Sequence, residues 1–187
     1  MSKILRHIDI DLTPASINHA IREIELFRKQ LEEQLSDLVK LLVDEGTEIA
    51  KMQVVSMNAV FTGALEQSIR GVFYKNRSCG VIFSDVPHAI YVEYGTGYNG
   101  AGGGESDISG GWDTYPGDLP PGYKPDATGH GSAGWWYPAP WGWYIPKGSN
   151  TKLAWTRGMP SRPFLYNTLR WLEEAAPERA SNMFSQM

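Results

Sequence analysis

The chain has 187 residues, a formal net charge of −4 and 42% hydrophobic residues, values typical of a globular protein with a buried core. The charge is mildly acidic and the longest basic run is Arg28-Lys29, which argues against a nucleic-acid-binding protein. Cys79 is the only cysteine, so a disulfide framework and a thiolate metal site are excluded. The charged N-terminal residues lack the apolar core of a signal peptide, and no segment reaches the roughly 18–20 apolar residues of a membrane span. We therefore expect one domain over residues 1–187, made in a reducing cytoplasm, without membrane contact.

The first third of the chain predicts a short strand and a long helix. Residues 7–12 alternate between polar and apolar side chains, as in a strand with one solvated face. Thr13 and Pro14 have the residue types of an N-cap and a first helical position. Apolar residues then recur at steps of three, four or seven from Ile17 to Ile49, which predicts an amphipathic helix of at least nine turns that could kink at Gly46.

Two interpretations of this apolar face stay open. The face could lie along a sheet of its own domain, or part of it could be exposed to a neighbouring subunit. The second follows from length, because a helix on the order of 50 Å exceeds a compact domain of this size.

Thr62-Gly63 breaks the helical pattern, and two predicted strands follow at residues 66–75 and 79–85, joined by a turn at residues 76–78. Residues 95–150 then hold 15 of the 20 glycines, 7 of the 12 prolines and 5 of the 7 tryptophans. So many aromatic residues argue against disorder. We predict a long ordered loop, inserted into the domain, with short strands near residues 135–137 and 141–145.

The last part predicts a strand at residues 152–157, a turn at residues 158–163 and a closing helix from Phe164. Ser161 is its predicted cap, and Pro177 is expected to kink or restart it. The whole pattern predicts an α+β fold. A long N-terminal helix and a C-terminal helix pack on a small antiparallel sheet, with a large Gly/Pro/Trp-rich inserted loop.

Motifs for chemistry are weak. Residues 95–100 match the glycine spacing of a dinucleotide-binding turn, but the Gly-rich residues that follow cannot begin the required helix. Two sets of residues combine histidine with serine or acidic side chains, as a hydrolase site would. The sets are Asp126, His130 and Ser132, and Asp85, His88 and Glu93. Neither set resembles a nucleophile elbow. We predict no catalytic, cofactor-binding or metal-binding residue and no enzymatic activity; a small hydrolase remains the least favoured hypothesis.

The aromatic residues of the loop allow three interpretations. They could form a small core that holds the loop to its own domain, anchors in a protein interface, where Trp is enriched, or a stacking platform for sugar rings. The first two are favoured together. The candidate interface residues here are Trp135, Trp136, Trp141 and Trp143.

Three segments, in order, resemble the tail-completion or head–tail joining family of tailed phages and prophages. The first is Thr62-Gly63-Ala64-Leu65 with Ser68-Ile69, the second is residues 91–97 with the letters YVEYGTG, and the third is Arg162-Pro163-Phe164-Leu165. The resemblance covers roughly residues 35–185. The chain departs from shorter members by the roughly 60 residues between the second and third segments.

The resemblance implies a structural protein of the phage neck that completes the tail and joins it to the capsid connector. It implies a ring of six copies, contacts with the head-closure or connector protein and with tail terminator or tail tube proteins, and DNA in the lumen without specific binding. The protein would be in the host cytoplasm before assembly and in the virion afterwards. Arg157 and Arg162 flank the turn before the last helix and could pair with carboxylates across a subunit boundary. An ordinary surface salt bridge is the alternative for both arginines and is slightly favoured. The alternative is a carbohydrate-binding module of a virion or cell-wall-associated protein.

Overall fold

The computed structural model describes residues 9–59, 63–97, 118–124, 127, 129 and 133–185, and the structural statements below concern these residues. The predicted α+β class is confirmed. The elements in chain order are α1 (Pro14–Ser56), α2 (Ala64–Ser68), β1 (Ile69–Tyr74), β2 (Cys79–Ser84), α3 (Ala89–Tyr94), β3 (Thr96–Gly97), β4 (Trp135–Pro138), β5 (Leu153–Thr156), β6 (Gly158–Met159) and α4 (Phe164–Phe184).

The described strands form three two-stranded sheets, β1–β2, β3–β6 and β4–β5. The last two are antiparallel. By internal contacts the chain divides into two compact units. The first unit comprises Met1–Ile49, Arg70–Phe83 and Thr168–Met187, and the second comprises Ala50–Ile69 and Ser84–Asn167.

The predicted N-terminal strand is wrong for residues 9–12, which form no strand; residues 7 and 8 lie outside the described part. These residues instead prepare the start of α1. The Asp11 carboxylate accepts hydrogen bonds from the Thr13 amide, at 2.8 Å, and from the Thr13 hydroxyl. Thr13 Oγ1 then accepts the Ser16 amide at 3.3 Å, so the predicted N-cap and the helix start at Pro14 are confirmed.

The helix α1 has 43 residues and runs through Gly46 without ending, a length of roughly 64 Å at 1.5 Å per residue. Gly46 is needed for close packing inside the first unit. A Cβ at this position would lie 2.6 Å from Ile82 Cδ1 and 3.1 Å from Leu172 Cδ1. The absence of a side chain therefore lets β2 and α4 approach the helix where any larger residue would separate them.

The apolar face of α1 changes its surroundings along the helix. From Leu38 onward its residues are buried or half-buried, with Leu38 only 7% exposed. The preceding apolar residues are exposed to solvent, namely Ile17, Ile21, Ile24, Leu31 and Leu35.

The central strands are shorter than predicted. Residues 64–68 form α2, so the first strand begins at Ile69, and a 3-10 turn at Lys75–Arg77 leads into β2. The predicted strands at residues 135–137 and 152–157 are confirmed as β4 and β5. The predicted strand at residues 141–145 is wrong, because this segment makes only one isolated bridge, between Tyr144 and Leu153. Pro140 and Pro146 limit pairing on either side of that bridge because proline has no amide hydrogen to donate.

The closing helix α4 is one element of 21 residues with Pro177 inside it, so the predicted restart does not occur. Proline removes one backbone hydrogen bond, and the remaining bonds on both sides maintain the helix. In the first unit, Arg179 Nε lies 3.1 and 3.2 Å from the two carboxylate oxygens of Glu45, which ties the end of α4 to α1.

Candidate functional site

The buried carboxylate of Glu93 connects two of the three segments that carry the family resemblance. Glu93 lies on α3 and is only 3% exposed. Its Oε2 accepts the amide hydrogen of Leu165, and its Oε1 accepts that of Tyr166, both at 2.9 Å. These are first-turn amides of α4, which have no partner within their own helix. A negative charge at this position also interacts favourably with the helix dipole, so Glu93 acts as a cap supplied by a distant part of the chain.

This result corrects the predicted cap. Ser161 precedes the first helical residue, Phe164, by three positions, whereas an N-cap residue directly precedes it. Its hydroxyl oxygen is buried and has no hydrogen-bond partner among the described residues. The sequence pattern predicts the start of α4 correctly, but it predicts the cap at the nearby Ser161 and not at the distant Glu93.

The main chain joins the same two segments. The Arg162 amide donates to the Val92 carbonyl at 2.8 Å. Beside this contact, β3 and β6 pair so that Thr96 faces Met159 and Gly97 faces Gly158. The Thr96 hydroxyl also accepts the Met159 amide at 3.1 Å. The YVEYGTG segment and the turn before α4 are therefore fixed to each other by backbone and side chain.

The first motif segment lies in the same unit, although Thr62 is outside the described residues. Leu65, Ser68 and Ile69 are buried. Ser68 Oγ donates to the Leu65 carbonyl at 2.7 Å and lies 2.6 Å from Ser84 Oγ. All described motif residues thus belong to the second unit, and their buried polar atoms are used for internal hydrogen bonds.

The candidate tryptophans have different surroundings. The indole ring of Trp135 lies against Gly97 inside the second unit, where a Cβ on Gly97 would be 2.6 Å from two of its ring atoms. Trp136, Trp141 and Trp143 are exposed, and Trp143 is 74% exposed. Only Trp135 therefore has the surroundings of the small-core interpretation.

The exposed rings of Trp136, Trp143 and Tyr144 form what we call the aromatic patch. The centroid of Trp136 lies 4.9 Å from that of Trp143, with an interplanar angle of 66°. It lies 5.0 Å from that of Tyr144, at 43°. These are favourable edge and tilted contacts, and they leave the ring faces pointing in different directions.

The two candidate arginines lie within the second unit. The Arg157 guanidinium lies 5.4 Å from the ring centroid of Trp155, a cation–π distance. Arg162 is half-buried, and this burial lowers the pKa of its guanidinium. Arginine retains its charge in proteins, so Arg162 places a cation next to the turn before α4.

Tyr123, in the inserted segment, was not predicted as a site residue. Its ring centroid lies 5.2 Å from that of Tyr94, and its hydroxyl donates to the Gly95 carbonyl. Burial, with smaller contributions from Tyr91 and Tyr94, raises the pKa of Tyr123 to about 12. No spacing in the sequence marks this contact, because the two tyrosines are separated by a long glycine-rich segment.

The residues considered for hydrolysis are arranged as follows. Asp126, His130 and Ser132 lie outside the described residues. In the other set His88 is exposed, and both carboxylate oxygens of Glu93 accept backbone amides. Within the described ranges no group of three or more His, Cys, Asp or Glu side chains could hold a metal ion. The helices in these ranges include none that is long and apolar enough to cross a membrane.

Comparisons with protein-family models, with curated proteins and with solved structures each gave no match.

Proposed function

We propose that this chain is a structural protein of the phage neck, which completes the tail and joins it to the capsid connector without catalysing a reaction. As the resemblance implies, it would act as a ring of six copies between the head-closure or connector protein and the tail terminator or tail tube proteins. DNA would pass through the lumen without specific binding. The protein would be in the host cytoplasm first and in the virion after assembly.

One observation supports this proposal above the others. Residues from the second and third motif segments, about 70 positions apart in sequence, meet through the hydrogen bonds of Glu93 to the start of α4. Motifs that occur together by chance have no reason to contact each other. Segments that form one folded framework have such a reason, because the Glu93 carboxylate supplies the hydrogen-bond acceptors that the first turn of α4 requires.

Deletion of the gene from a phage that carries it tests the proposal. We expect filled heads and separate tails in negative-stain images, and joined particles again when the wild-type gene is supplied in trans. Complementation with Glu93→Gln should be weaker than with Glu174→Gln, an exposed change of the same chemistry on α4. Normal joined particles from the deletion strain would overturn the proposal.

A carbohydrate-binding function is the second candidate, and the exposed aromatic patch is the observation that favours it. Sugar rings stack on the flat faces of aromatic side chains, and Trp143 presents such a face to solvent. The 66° between Trp136 and Trp143 allows one ring to stack a sugar but does not provide a flat surface of two rings.

Glycan-array binding tests this candidate. Binding that is lost in Trp141→Ala and Trp143→Ala but kept in Leu119→Ala, an exposed apolar control, would support it. The absence of binding by the intact protein would remove it. The two candidates are thus separated, since the neck role requires no glycan.

A further inference from the structure

The first half of α1 carries apolar side chains in the repeat of a coiled coil. Counting from Ile17, positions alternate by four and three residues, which gives a 3.5-residue repeat. Heptad positions a and d are then occupied by Ile17, Ile21, Ile24, Arg28, Leu31, Leu35, Leu38 and Leu42. The residues of this series from Ile17 to Leu35 are called the exposed seam below.

The apolar members of the exposed seam face solvent, although the same series becomes buried at Leu38. The seam spans roughly 27 Å at 1.5 Å per residue, or nearly three heptads. A partner helix could bury the seam residues that precede Leu38, as the protein's own elements bury Leu38. Apolar surface of this extent stabilises association when it is removed from water.

We propose that the exposed seam pairs with the same seam of a second copy of this chain, as an antiparallel coiled coil. In the register we propose, Ile17 faces Leu35 of the second copy, Ile21 faces Leu31, and Ile24 faces Arg28. Every apolar a or d residue then has an apolar partner, except at the two symmetric layers that contain Arg28.

Charge selects the antiparallel orientation. In a parallel pair Arg28 would face Arg28 of the second copy inside the seam, which is unfavourable. In the antiparallel register its aliphatic stem covers Ile24 of the second copy while its guanidinium lies at the edge. Glu25 directly follows Ile24 in the sequence, so an acid of the second copy adjoins this layer. Within one copy, Arg28 Nε already lies 3.3 Å from Glu32 Oε1, so the cation lies between acidic side chains.

This contact has two-fold symmetry and joins two copies without closing a ring. It does not depend on the proposed neck function. A phage ring could be correct and this pairing absent, or the reverse.

Light scattering of the purified full chain over a range of concentrations tests the pairing. We expect a reversible dimer, with Ile24→Glu weakening association about tenfold or more because it places a charge in the apolar seam. Leu26→Glu is the matched control, since Leu26 is 53% exposed against 56% for Ile24 but lies outside the a and d positions. Circular dichroism should show both variants folded. A monomer at all concentrations, or equal effects of the two changes, would overturn the proposal.

Disulfide trapping tests the orientation. Cys79 is free and exposed, so Cys79→Ser provides the background. The single variants Ile17→Cys and Leu35→Cys should cross-link to each other when mixed and oxidised. Efficient same-position cross-links within each single variant would indicate a parallel pair and would contradict the proposed register.

Discussion

Glu93 and Ile24 show how differently two regions of this molecule use their side chains. Around Glu93 most of the motif residues are buried or half-buried, and the Glu93 carboxylate makes internal hydrogen bonds. Around Ile24 the apolar side chains of the exposed seam face solvent. The first region should determine whether the second unit folds, and the second should determine what the protein associates with. Substitutions can separate these roles. A substitution in the region around Glu93 should lower the free energy of unfolding, whereas a substitution in the exposed seam should leave it nearly unchanged.

The largest loss of stability is expected for Gly158→Ala in the motif region. Gly158 has φ +105°, and an added Cβ would overlap the Thr96 carbonyl oxygen in the β3–β6 pair. We expect a loss of about 3 kcal/mol or more in urea unfolding, from backbone strain together with the displaced strand. Gly148→Ala is the control, because Gly148 also has positive φ but nothing lies within 4 Å of its added Cβ; it should cost about 1 kcal/mol. Similar losses for the two variants would show that the contact with Thr96 is not tight.

Leu38→Ala and Leu31→Ala compare the two halves of the α1 series directly. Leu38 is 7% exposed and Leu31 is 42% exposed. Removing the buried side chain should cost about 2–3 kcal/mol in the monomer, whereas removing the exposed one should cost less than about 1 kcal/mol. Thermal unfolding at concentrations below any association measures both. A Leu31→Ala loss as large as that of Leu38→Ala would mean that the seam is already covered within one chain.

Glu93→Gln should cost about 2 kcal/mol, since it removes the charge and replaces one acceptor with a donor that faces a backbone amide. The loss should appear in chemical unfolding of the second unit. Glu174→Gln, on the exposed side of α4, should change stability by less than about 0.5 kcal/mol. If the two substitutions have the same effect, the carboxylate is not an important cap.

The helices were predictable because their signals are local and repeated. Thr13 and Pro14 mark the start of α1, and the apolar spacing from Ile17 marks its face. The same spacing contains the heptad repeat, but only the structure shows that its first half is exposed while Leu38 is buried. Which residues cover an apolar face depends on the path of distant segments, and no local pattern contains that information.

The candidate site was predictable in part. The three motif segments were identifiable, but the role of Glu93 was not, because its partners Leu165 and Tyr166 follow it by more than 70 positions. The helix cap was therefore sought locally, at Ser161. The tryptophans show the same limit, since their composition predicts contact surface but does not distinguish Trp135, packed on Gly97, from the exposed Trp143.

The smallest of these effects concerns Tyr123, which joins the inserted segment to the YVEYGTG segment. Its pKa in the folded protein is about 12, against an ordinary value of 10.0, so the folded state favours the neutral phenol. The stability from this contact should be complete below pH 10 and should decrease as the pH rises from 10 towards 12, because the unfolded chain loses its proton first.

Tyr123→Phe keeps the ring but removes the hydroxyl that donates to Gly95, and should cost about 1 kcal/mol at pH 8. Urea unfolding at pH 8, 10 and 11 should show a smaller pH dependence for the variant than for the wild type. Parallel curves would mean that Tyr123 titrates like an exposed tyrosine and that the inserted segment is not fixed to the motif region by this contact.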